Sequence, residues 1–91
     1  MAIRVEFFGI ARQRAGVSEL TLALPEAEVP LGDVLSQIAE RLPELSRELF
    51  VNGRLHESLT ANLGGAQFIH DPKTIIRDGQ SLLILSADAG G

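Results

Sequence analysis

The sequence predicts an α+β fold, a mixed sheet with one main helix packed on one of its faces. Three observations carry this. A single stretch, Leu31 to Leu42, repeats its apolar residues with the period of a helix. Two stretches near the N-terminus alternate apolar and polar residues with the period of a strand. The last apolar run, Leu82 to Leu85, is apolar on both faces, as a central strand with something covering each side would be. One helix cannot cover both faces of a sheet, so one face is left to solvent or to a partner.

Taken in order, Ile3, Val5 and Phe7 alternate with Arg4 and Glu6 and give a strand that begins almost at the first residue. "GIARQRAG" gives one or two helical turns closed by Gly16. Leu20, Leu22 and Leu24 give a second strand, ended by Pro25, which has no N–H for a ladder. In the main helix, Leu31, Val34, Leu35, Ile38, Ala39 and Leu42 form one stripe. Pro30 suits its first position, Asp33 its positive end, and Pro43 its termination. Asn52-Gly53 reads as a type I′ turn joining two short strands. "ANLGGAQF" reads as a loop, "AQFIH" as a short strand, and "DPKTIIRDG" as a connection closed by an Asp78-Gly79 turn. The first and last strands are the most apolar and are expected side by side in the middle of the sheet.

Composition bounds the function. A chain of 91 residues allows one domain, spanning 1–91, with a C-terminal tail from about residue 86. A net charge of −4 argues against nucleic acid. The N-terminal stretch is neither a signal peptide nor a membrane span, so a cytoplasmic location is expected and no membrane partner. With no cysteine there is no disulfide, thiolate metal site or cysteine nucleophile. His56 and His70 stand in no metal or catalytic motif and read as surface or loop-packing imidazoles; no metal site is expected. Glu26 and Glu28 flank a turn and read as solvated. No acid–base pair, phosphate loop or nucleophile elbow is present.

The side chains therefore offer no enzyme, and the remaining reactive group is the main-chain carboxylate of Gly91 in the closing "SADAGG". A carboxylate can be activated by ATP to an acyl-adenylate and captured by a nucleophile. Glycine lets backbone run close to a foreign surface, having no Cβ to collide. Gly91, Gly90 and Ala89 make physical sense as a substrate tail, with Gly91 the reacting residue.

These residues resemble a known family, the small sulfur carriers of the MoaD/ThiS type, which have the ubiquitin-like β-grasp fold. The opening "IRVEFFGIARQRAG", the helix from Leu31, "VNG" at Val51 to Gly53 and the ending "RDGQSLLILSADAGG" carry the resemblance, which spans the chain. It implies that an E1-like enzyme adenylates Gly91 with ATP and that a sulfurtransferase helps convert it to a thiocarboxylate. Sulfur would then pass to an acceptor synthase subunit in cofactor biosynthesis, molybdopterin first and thiamine second. The chain would thus be a carrier, with a place as small subunit of a molybdopterin-synthase-like complex, and would bind no cofactor of its own. Two features depart from the family. Ser86-Ala87-Asp88 stands where molybdopterin-type carriers usually have Pro-Pro, and the segment from Leu59 to Ile76 is longer than the compact form.

The family pattern puts Leu82 and Ile84 in the core, which turns Leu83 and Leu85 outward. Together with Phe8, and joined by Phe68, they would form an apolar partner interface beside the tail. Two other readings stand beside the carrier: a protein modifier that ends on lysines as an isopeptide, and a plain β-grasp interaction module.

Overall fold

The computed structural model describes residues 1–45, 50–51 and 54–87. Strand β1 (Ala2–Phe7) leads into helix α1 (Gly9–Ala15), β2 (Glu19–Ala23), β3 (Glu28–Pro30) and helix α2 (Leu31–Arg41). Six strands follow: β4 (Phe50–Val51), β5 (Arg54–Leu55), β6 (Leu59–Leu63), β7 (Gln67–Ile69), β8 (Ile75–Arg77) and β9 (Ser81–Ser86). The main sheet has five strands in the order β2-β1-β9-β6-β7, and β3 with β8 and β4 with β5 form two small ribbons.

The first and last strands pair in parallel, Val5 opposite Leu82 and Phe7 opposite Ile84, and every other pairing is antiparallel. The sheet is therefore mixed, with the two most apolar strands at its middle. Helix α2 lays Leu31, Val34, Leu35 and Ile38 against the inner face. Ile3, Val5 and Phe7 of β1, Leu22 of β2, and Leu82 and Ile84 of β9 meet it there, all at most 2% exposed. Packing at this density makes the inner face the part of the molecule least tolerant of lost methyl groups.

Several elements differ from what the local pattern suggests. Pro30 is not the first helical residue but the cap before it, with φ −67 and ψ 149, and it ends β3. Gly16 closes α1 as expected, its N–H donating to the Arg12 carbonyl at 3.0 Å. The stretch read as a loop is a hairpin. Gly64 and Gly65 have φ of +66 and +78, and the Ala66 N–H donates to the Leu63 carbonyl at 3.2 Å. Two successive positive φ values give the backbone twist that joins antiparallel strands. The connection after Pro72 holds β8, which pairs with β3. There Glu28, exposed as expected, accepts from Arg77 Nε at 2.8 Å. The two-residue spacing of β4 and β5 suits a tight hairpin, but Asn52 and Gly53 lie outside the described residues.

Strand β9 is central, and its two sides differ as the single main helix leads one to expect, although the run by itself also suggests cover on each side. Leu82 and Ile84 are fully buried, whereas Leu83 and Leu85 are only partly so. No helix among the described residues is long and apolar enough to cross a membrane.

Candidate functional site

Strand alternation builds the outer face of the main sheet. The Phe8 N–H donates to the Ile84 carbonyl at 2.9 Å, so β1 stays in register with β9 for one residue beyond Phe7. Phe8 keeps extended dihedrals, φ −131 and ψ 153, and its ring therefore lies on the side opposite Phe7. That places it beside Leu85. One row further on, Leu83 faces Asn62 across β6, and Asn62 in turn faces Phe68 on β7. Phe8 is 44% and Phe68 46% exposed, two of the most exposed large apolar side chains described.

The four residues proposed as an interface thus share one face. They do not form one unbroken patch. Phe8, Leu85 and Leu83 are contiguous, while Phe68 is set apart by the Thr60 and Asn62 side chains of β6. Both of those polar residues are buried, and the Asn62 Oδ1 has no hydrogen-bond partner. Beside Leu83 on the other flank, Glu6 lies directly opposite Glu19. Arg4 Nε sits 3.6 Å from Glu6 and 3.8 Å from Glu19, which offsets the repulsion of two facing carboxylates.

Strand β9 carries the chain to the margin of this face. Gly91, Gly90 and Ala89 lie outside the described residues, and the last residue described is Ala87. Its N–H donates to the Ser58 carbonyl at 2.8 Å, one step beyond the Leu59–Ser86 pair of the β6–β9 ladder. Across from it, the Ser86 Oγ accepts a long 3.4 Å bond from the Ile10 N–H. Gly9 passes so close that a Cβ there would stand 2.9 Å from the Ser86 Oγ.

Both histidines border this region, which no motif in the sequence signals. His56 and His70 line a groove of about 560 Å³ between α2 and the start of β6, floored by Leu31, Leu35 and Leu59, and Ala87 lines it too. Their fourteen-residue separation carries no motif; the β6–β7 hairpin returns the chain so that His70 reaches the groove that His56 also lines. No group of three or more His, Asp or Glu positioned to hold a metal ion occurs among the described residues.

No family model matches the sequence, and no curated protein does. Solved structures match over nearly the whole chain. SAMP1 of Haloferax volcanii superposes with a TM-score of 0.80 at 17% identity, covering 100% of both chains. A protein assigned as molybdopterin converting factor subunit 1 of Pyrococcus furiosus gives 0.76 at 23%, covering 94% of this chain and 97% of that one. A chain of the BexX/CysO complex of Amycolatopsis orientalis gives 0.70 at 20%, covering 98% and 99%. The fold is the ubiquitin-like β-grasp. The fold implied by the resemblance read from the sequence is thus met again in three dimensions. In β-grasp terms, the candidate site is the outer face of the sheet together with the root of the tail at Ser86 and Ala87.

Proposed function

We propose that this chain is a small sulfur carrier whose Gly91 carboxylate is the reacting group. An E1-like enzyme joins the carboxylate to the α-phosphorus of ATP and releases pyrophosphate. Hydrosulfide, supplied through a sulfurtransferase, then attacks the carbonyl carbon and AMP leaves, so one oxygen of Gly91 is replaced by sulfur. The thiocarboxylate passes its sulfur to an acceptor held by a synthase subunit, with molybdopterin the favoured product. The observation that carries the reading is the junction of β9 with its surroundings. A β-grasp sheet ends its central strand at Ser86, at the margin of a partly exposed apolar face, and the sequence runs on from there to the glycine pair. Such a face suits protein partners, and one of the matched chains comes from a two-protein complex.

The test is incubation with the E1-like enzyme of the source organism, ATP and a sulfur donor, followed by mass spectrometry of the C-terminal peptide. Intact mass does not suffice, because Met1 is 61% exposed and its oxidation has the same nominal mass change as the exchange. A thiol-selective alkylating reagent must also react with a protein that has no cysteine. The second reading, a modifier, is favoured by the match to proteins named small archaeal modifier protein 1. It requires Gly91 joined to lysines instead, and within this chain only the exposed Lys73 could accept it.

A further inference from the structure

His56 is tied to the tail through two successive hydrogen-bonded links. Its Nδ1 accepts the Ser58 N–H at 3.1 Å and lies 2.9 Å from the Ser58 Oγ. Its carbonyl accepts the Leu59 N–H at 2.9 Å, closing a turn over His56–Leu59. Ser58, held in this way, presents its carbonyl to the Ala87 N–H at 2.8 Å. An acceptor two residues before the N–H it binds mimics one more backbone turn, as Asn and Asp side chains do. The imidazole therefore holds Ser58 from its N–H and Oγ, while the His56 carbonyl holds the Ser58–Leu59 peptide whose oxygen makes the last described rung of the β6–β9 ladder.

From this geometry we infer that His56 is a positioning residue for the tail reaction, resting on the carrier reading above. It acts through Ser58, by holding Ala87 at one point and so fixing where the remaining residues depart. With Ala87 held, the activating enzyme does not have to order the root of the tail as it binds; with Ala87 loose, that ordering cost falls on binding. The loss should then appear in KM for the chain and not in kcat. On the opposite side, Ser86 meets Gly9 and Ile10, so the root is braced from β6 and from α1 together.

Two variants test this. His56→Leu removes the acceptor and keeps an apolar body in the groove. His56→Asn keeps an acceptor able to reach the Ser58 N–H. In the chain alone, amide exchange at Ala87 should speed up about three- to tenfold in His56→Leu, the worth of one neutral hydrogen bond, and return to within about twofold of the parent in His56→Asn. With the E1-like enzyme, KM measured by pyrophosphate release should rise by a similar factor in His56→Leu and recover in His56→Asn, while kcat changes less than twofold in both. A merely structural role would lower the melting midpoint and leave KM unchanged. Unaltered exchange at Ala87 in His56→Leu, or a His56→Asn variant no better than His56→Leu, would overturn the inference. If the parent chain is not adenylated at all, the carrier reading fails, and the exchange measurement still decides whether His56 holds the root.

Discussion

Ile84 and Leu85 are neighbours on β9 that face opposite ways, so truncating each in turn separates folding from recognition. Ile84 is 0% exposed, beside Phe7 on β1 and Ala61 on β6 and beneath the helix layer. Cutting a buried Ile to Ala costs about 2–5 kcal/mol, more where the surroundings cannot collapse into the space. At the centre of a five-stranded sheet the backbone is held from both sides, so a value of about 3.5 kcal/mol is expected. For a domain of this size each kcal/mol lowers the midpoint by about 4–8 °C, which gives a fall of about 14–28 °C. Leu85 is only partly buried. Full burial of a Leu side chain is worth about 1.5–3 kcal/mol, so Leu85→Ala should lose about 1 kcal/mol, or about 4–8 °C. On partner binding the order reverses. Well below both midpoints, Leu85→Ala should raise KM for adenylation about tenfold, the equivalent of ~1.4 kcal/mol of lost contact, and Ile84→Ala should leave it within about twofold. Thermal unfolding by circular dichroism and pyrophosphate release measure the two effects. A Leu85→Ala variant that melts as low as Ile84→Ala would show that the outer face is packed and not presented. One that melts as predicted with KM unchanged would show that this face does not recognise the activating enzyme.

Phe8→Asp should likewise weaken binding to the activating enzyme while moving the melting midpoint by only a few degrees, about the worth of one surface substitution; a chain that mainly unfolds would refute it. Deleting Gly91, or adding residues after it, should abolish sulfur loading in the alkylation assay. The midpoint should stay within about 2 °C, because the core lies between residues 3 and 84; an extended chain that still loads sulfur speaks against the carrier reading. Gly9→Ala should cost about 1–3 kcal/mol, because φ is +58 and the new Cβ would press on the Ser86 Oγ. Adding Ser86→Ala should recover only the contact part, as a thermal melt of the double variant would read. Asn62→Leu should raise the midpoint, since a buried acceptor without a partner costs about 1–3 kcal/mol; a fall would mean that the amide is bound in some other way.

Much of this β-grasp chain was legible as sequence. The stripe from Leu31 and the alternation at Ile3, Val5 and Phe7 each state a local period, which follows from backbone geometry alone, and the unbroken run at Leu82–Leu85 states a strand at the middle of the sheet. With one helix available, an exposed sheet face followed, and with it Phe8 and Leu83 on the outside. Strand β6 also carried a signal, because Leu59, Ala61 and Leu63 alternate with Thr60 and Asn62. The glycine pair after it reads locally as a loop, although two glycines are what the tight turn there requires. Other features had no local signal. Strands β3 and β8 are three residues each and exist because they meet one another across more than forty residues of chain. The approach of Gly9 to Ser86, the bond from Ala87 to Ser58 and the gathering of His56 and His70 at one groove depend on which strands lie side by side. The sequence determined which residues are apolar and with what period, and it carries the closing glycine pair on which the proposed carboxylate chemistry rests. Only the tertiary structure decided what stands beside the root of the tail, because the order of strands in a sheet is set by the packing of the whole chain and not by any segment of it.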